Sequence, residues 1–188
     1  MIWKSYSQLK GLHSRMSPSN PAWLNYDDDK IVAKFAADQA AKHGTEMHEL
    51  ASRLIHLGVR LPDEGKTLDL YVNHAIGYRM RPEQTLFYSE NAFGTVDAIA
   101  YRKNILRIHD LKTGLGEAGF KQLKIYAAYF CLDYVENPFR MDEINLRLYQ
   151  NDEVREEIAD PGEIVNIMEK TKHDDKIYQR LQEEASAW

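Results

Sequence analysis

A carboxylate and an ammonium stand two residues apart in His109-Asp110-Leu111-Lys112-Thr113-Gly114, directly after the largely apolar run Ile105-Leu106-Arg107-Ile108. Successive side chains of a β-strand alternate between its faces, so this spacing brings Asp110 and Lys112 to one face, about 7 Å apart at roughly 3.4 Å per residue. Leu111 then points into the core, and His109 takes the opposite face in a packing role. A second carboxylate, Asp97, lies on the preceding strand-like stretch. If Lys103 and Asn104 form a two-residue hairpin loop, Asp97 falls directly opposite Asp110, with Cβ atoms roughly 4.5–5.5 Å apart. Like charges paired that way repel. A divalent cation compensates them, because converging carboxylates are hard oxygen ligands suited to Mg²⁺ or Mn²⁺. A lysine beside such an ion can position a water and neutralise charge on a phosphate under attack. The reading depends on register, since a slip of one residue would send the carboxylates to opposite faces.

The elements that must position these groups follow from periodicity and punctuation. A short helix entry is expected at residues 5 to 13, then a Pro, Ser and Asn-rich connector. From Asp27 to about Leu57 the pattern is helical, with Asp27, Asp28 and Asp29 at the favoured end for negative charge and Gly58 where the helix stops. A second helix is expected from Thr67 to Met80, ended by Arg81-Pro82. The period then changes to two, predicting strands at Thr85 to Ser89, Phe93 to Tyr101 and Asn104 to Leu111. A helix from Phe120 to Asp133, a strand from Glu143 to Tyr149 and a charged helix from about Gly162 to Ala185 complete the order. This is an α/β (α+β) chain with a mixed sheet of about four strands flanked by helices. On the long helix Gly44, His48, Ala51 and Ile55 share one stripe. His48 is thereby a candidate further ligand, although a lone histidine on an apolar stripe more often has a structural role.

Composition narrows the setting. The chain has 188 residues, a net charge of -5 and one cysteine, Cys131, expected to be a packed thiol. One cysteine excludes a disulfide framework and a four-cysteine metal or iron-sulfur site built from this chain alone. Its length suits a single domain over 1–188, with a helical part at 1–82, a core at 83–150 and a C-terminal helix at 151–188. No stretch approaches the roughly 18 to 20 apolar residues that span a bilayer, so a soluble, cytoplasmic protein with no membrane partner is expected. The acidic balance argues mildly against nucleic acid, but carboxylates that hold metal ions invert that charge locally.

Taken together, Gly44-Thr45-x-x-His48, Gly94-x-x-Asp97, Asp110-x-Lys112-Thr113-Gly114 and Gln122-x-x-x-Tyr126 resemble the RecB-type exonuclease branch of the PD-(D/E)XK nuclease superfamily. That branch includes phage recombination and CRISPR-associated single-strand exonucleases. The resemblance covers about residues 44 to 126 and implies a restriction-endonuclease-like core. It also implies metal-dependent hydrolysis of DNA to 5′-phosphate ends. In that scheme His48, Asp97, Asp110 and the main-chain carbonyl of Leu111 would ligate Mg²⁺ or Mn²⁺, and Lys112 would position the attacking water. Asp97, Asp110 and Lys112 are thus the expected catalytic residues. Gln122 and Tyr126 would hold the DNA backbone or terminus, with Lys121 and Lys124 beside them as phosphate contacts. The cysteines that some relatives use for an iron-sulfur cluster are missing, so no cluster is expected. The implied substrate is DNA with a free end in recombination, repair or phage DNA processing, in a bacterial or phage-infected cell. The implied associates are a recombination or single-strand-annealing partner or a second copy of the chain. Two other readings stay open: an endonuclease on the same core, and a non-catalytic DNA-binding or assembly module. Glu90, seven residues before Asp97, is a candidate extra ligand or support for one.

Overall fold

In a computed structural model that describes residues 7–9, 11–114 and 116–186, the carboxylate of Asp27 accepts the backbone N–H of Lys30 at 2.8 Å. That is an N-cap, which starts α1 (Asp28–Leu57), and Asp28 and Asp29 occupy its first turn. Gly58, at φ 68°, ends it. The chain divides into two compact units, Met1–Ala41 and Lys42–Trp188. In the first, short 3₁₀ turns at Ser7–Leu9 and Pro21–Asn25 precede the start of α1. The expected helix entry is reduced there to the first of these turns, and its residues 5, 6 and 10 lie outside the described ones. Arg15 in this unit bonds Asp38 at 3.3 Å and lies over the ring of Phe35.

The second unit contains the remainder of α1, then α2 (Thr67–Gly77), β1 (Arg81–Ser89), β2 (Ala92–Arg102), β3 (Ile105–Leu111), α3 (Lys121–Phe130), β4 (Glu143–Gln150), β5 (Glu153–Ile158) and α4 (Pro161–Ser186). The sheet has five strands in the order β1-β2-β3-β4-β5, with only β3 and β4 parallel. A parallel neighbour requires a crossover, and α3 lies within it. The architecture is therefore mixed α/β with a five-stranded mixed sheet and four helices. No helix among the described residues is long and apolar enough to cross a membrane.

The helices α2 and α3 each end three residues earlier than expected, and two differences concern the sheet. The fifth strand, Glu153-Val154-Arg155-Glu156-Glu157-Ile158, lies within 151–188, the part expected to be a C-terminal helix. It is an edge strand, where charged side chains are favoured because they discourage pairing with another sheet. Ion pairs Arg147–Glu156 and Lys124–Glu157 seat it. β1 also begins at Arg81, four residues earlier than expected, because Pro82 enters an edge strand as well as ending a helix.

Apolar side chains fill both faces of the sheet. One core packs Leu86, Val96, Leu106, Ile108 and Leu146 against Leu123 and Ala127 of α3 and Ile164 of α4. The other packs Ala98, Leu111 and Tyr149 against Ala51 and Ile55 of α1 and Val72 and Ala75 of α2. The β2–β3 hairpin turns on Lys103 and Asn104, both at positive φ (50° and 57°), the conformation of a two-residue type I′ loop. Its pairs run from Arg102↔Ile105 to Ala98↔His109, the expected register.

Candidate metal centre

The hairpin ladder stops one step short of Asp97 and Asp110. Instead of continuing as a pair, the Asp97 carboxylate accepts the backbone N–H of Leu111 at 2.9 Å. That bond turns Asp97 toward α1, where His48 Nδ1 lies 3.4 Å from its Oδ2. Asp97 and Ala98 consequently both serve the α1 side of β2. The regular alternation resumes at Ile99, which belongs to the α3-side core.

Glu83 of β1 completes this group. The β1–β2 ladder pairs Pro82 with Ala98 and Gln84 with Val96, so Glu83 falls opposite Asp97. Its backbone is at φ 49°, a region L-residues seldom occupy and one that recurs at functional sites. One ligand atom each from His48, Glu83 and Asp97 lies within 4.8 Å of the others. An imidazole with two carboxylates suits Mn²⁺ or Mg²⁺. Glu83 lies ahead of Thr85, where the period-two pattern begins, and so carries no strand signal of its own. Extending the strand through Pro82 would have revealed it.

Asp110 approaches from the opposite face. Its side chain is 2% exposed, and Lys112 Nζ donates to its Oδ1 at 3.1 Å. The same ammonium is 2.8 Å from Oδ2, so both carboxylate oxygens face Lys112. Burial, and next the charge of Asp97, push the Asp110 carboxyl up to about 6. Burial and then Asp97 likewise raise Glu83. The hydrogen bond to Asp97 is the main reason that His48 is raised, against the opposing effect of its burial. For Asp110 and Glu83 burial is the larger cause, and the nearby Asp97 charge adds like-charge repulsion to it. A cation would relieve the like-charge part of these shifts, and the Asp110 carboxylate is an additional candidate donor for one.

The four spaced sequence motifs meet in space through small, specific contacts. A Cβ on Gly44 would lie 2.7 Å from Thr113 Oγ1, so the bare backbone of α1 admits the residue that follows Lys112. A Cβ on Gly94 would lie 3.0 Å from Tyr126 Cε1, so the tyrosine rests on β2. The Tyr126 hydroxyl donates to the Thr95 carbonyl at 2.7 Å, and Gln122 Nε2 donates to that hydroxyl oxygen at 3.4 Å. Lys112 Nζ donates to Gln122 Oε1 at 2.9 Å. The ammonium is thus suspended between Asp110 and Gln122, near the acidic cluster and partly open to solvent. A groove of about 620 Å³ is lined by His48, Ser52, Arg53, His56 and Glu83, so two members of the cluster face open space.

Not every expected residue joins. Lys124 is held by Glu157 and Glu163, both at 2.7 Å, so its ammonium is occupied within the fold instead of being free for a phosphate. Lys121 is exposed but lines a different groove, with Ile125 and residues of α4. Glu90 sits in the β1–β2 turn, seven residues from Glu83 and so about 24 Å along the strand at roughly 3.4 Å per residue. Leu111 has a fully buried side chain and contributes its N–H to Asp97. His109 is on the other face, bonded to Tyr149 at 3.0 Å, and burial drives its pKa well down, keeping it neutral. Cys131 is buried, as expected of a packed thiol. Neither a scan against protein-family models nor a search of curated proteins finds a match for this chain.

Proposed function

We propose that this protein is a divalent-metal-dependent DNA exonuclease built on a restriction-endonuclease-like core of the RecB type. One observation carries the reading: His48, Glu83 and Asp97 converge near a buried Asp110 that is ion-paired with the lysine two residues on. A structural ion pair would not need three further ligand-type side chains around it.

His48, Glu83, Asp97 and Asp110 would hold Mg²⁺ or Mn²⁺, which when bound supplies Lewis-acid polarisation of a phosphate oxygen and a more acidic water. The residues do the rest. Lys112, held by Asp110 and Gln122, presents its ammonium where negative charge grows on the attacked phosphate, a preorganised interaction that strengthens toward the transition state. Gln122 and Tyr126 fix that ammonium's position against β2, and the bond from Leu111 N–H to Asp97 fixes its carboxylate. Two such supports make the geometry rigid before substrate arrives. A 3′ oxygen leaving group gives 5′-phosphate products.

The experiment is digestion of end-labelled linear DNA with Mg²⁺ or Mn²⁺, beside covalently closed circular DNA of the same sequence. Mononucleotide or short products from linear DNA, an intact circle and no activity in Lys112→Ala are expected. Cleavage of the closed circle would replace the exonuclease with an endonuclease. Full activity in a folded Lys112→Ala protein would end the nuclease reading altogether.

A further inference from the structure

The start of β1 borders a second feature that the catalytic reading does not use. A cavity of about 280 Å³ opens between β1, β2 and the end of α3. Arg79, Arg81 and Arg102 stand at it, and all three are exposed. Some cationic side chains, such as Lys112, Lys124, Arg147 and Arg155, are engaged by carboxylates. Among the described residues none of these three arginines has an acidic partner, and only Arg81 makes a side-chain bond, to Gln84 at 3.2 Å. Three guanidiniums without acidic partners therefore surround one cavity in a chain of net charge -5. Together they match a polyanion.

The cavity also has an aromatic wall. Phe130 and Tyr134 are stacked with ring centroids 5.1 Å apart and planes 25° from parallel, and Tyr101 meets Phe130 at 5.3 Å. The stack is unfinished, because Tyr134 is 59% exposed and Tyr101 38%. Tyr134 belongs to a π-helical turn, Cys131–Val135, that breaks the regular helix just after α3. Such turns are often found at functional sites. The volume lies near the lower end of the roughly 300–1,000 Å³ of small-ligand sites, enough for one nucleotide unit and too small for a duplex.

We propose that this cavity is a single-strand subsite: a nucleobase continues the Phe130–Tyr134 stack while flanking phosphates take Arg79, Arg81 and Arg102. It extends the nuclease reading and rests on it for the direction of the strand. Arg81 pairs with Ile99, and each is two residues from Glu83 or Asp97, about 7 Å along the sheet at roughly 3.4 Å per residue. The cavity opens on the α3 side of the sheet and the acidic cluster on the α1 side, so a strand occupying the cavity reaches the cluster around the edge strand β1. Stacking on any base gives grip without sequence preference, which is what a processive or end-trimming nuclease requires.

The test is binding of fluorescein-labelled oligo(dT) to the full chain in EDTA, where no cleavage occurs, beside an abasic oligomer of equal length. Wild type is expected to prefer oligo(dT), and Tyr134→Ala to lose roughly 5- to 150-fold in affinity for it while binding the abasic oligomer unchanged. Tyr134→Phe, which keeps the ring, should bind as wild type. Replacing Arg79, Arg81 and Arg102 together by Gln should lower the slope of log K against log salt by about 2, at roughly 0.7 per phosphate contact. Equal affinity for the two oligomers, or unchanged binding in both the tyrosine and the arginine variants with unaltered urea midpoints, would overturn the proposal. So would displacement of oligo(dT) by poly-glutamate at equal charge concentration, which would mark an acidic-protein surface. Wild-type hydrolysis of bis(p-nitrophenyl) phosphate with Mn²⁺ reports the metal centre alone, being too small to span both places. Failure there sinks the nuclease reading and leaves the binding result to stand or fall separately.

Discussion

Asp110→Asn should weaken or abolish phosphodiester hydrolysis and, at neutral to alkaline pH, make the metal-free protein more stable than its response at acid pH would suggest. The Asp110 carboxyl is pushed up from 3.8 to about 6, first by burial and then by Asp97. A raised carboxyl binds its proton more tightly in the folded than in the unfolded chain, so its contribution to stability is present at low pH and lost as pH rises from about 4 through 6. Two pKa units at about 1.4 kcal/mol each make the full loss roughly 3 kcal/mol. Over a practical window from pH 4.5 to 8, about 2 kcal/mol of it is accessible. Asparagine occupies the same volume, can still accept from Lys112, and does not titrate. The difference in unfolding free energy between variant and wild type should therefore move in favour of the variant by about 2 kcal/mol from pH 4.5 to 8. The comparison cancels any fixed cost of the substitution. Urea denaturation of both proteins in EDTA at the two pH values measures it. Adding Mn²⁺ at pH 8 should reverse the order by stabilising wild type more. A difference independent of pH would refute the view that Asp110 is a strained anion held for a cation.

Three other outcomes follow from particular contacts. Glu83→Gln should weaken Mn²⁺ binding by at least tenfold in calorimetry at pH 8, while Glu90→Gln, in the distant turn, should leave it unchanged; equal effects would remove Glu83 from the centre. Gly44→Ala sets helix propensity, worth up to about 1 kcal/mol, against a Cβ 2.7 Å from Thr113 Oγ1. In a Thr113→Ala background only the propensity gain remains, so a double-mutant cycle should show a coupling of order 1 kcal/mol, and strict additivity would deny the contact. Cys131, buried and with its thiol pushed up to about 12, should resist iodoacetamide in the native protein at pH 8 and react only after denaturation.

Much of the centre is legible in the chain because its cause is local. The alternation of β3 puts Asp110 and Lys112 on one face. Lys103 and Asn104 adopt the positive φ of a tight hairpin, which sets the β2–β3 register without any long-range information. The stripe of Gly44, His48, Ala51 and Ile55 turns His48 toward the sheet, since Gly44, Ala51 and Ile55 are its buried positions in α1. Local signals failed where edges were involved. β5 is too charged for apolar alternation, and its glutamates are explained only by the lysines and arginines that meet them.

What sequence spacing alone determined, then, is which faces carry the chemistry: period two for the Asp110–Lys112 pair and period 3.6 for the His48 helix. Tertiary structure decided the candidate ligand set. The ladder ends before Asp97, whose carboxylate is captured by Leu111 N–H, and the positive φ of Glu83 brings a residue from a third element into the group. The same packing diverted Lys124 to Glu157 and Glu163, contacts 33 and 39 residues away in the chain. Carboxylate convergence and ion-pair competition depend on distances between elements, and periodicity along one element carries no information about them.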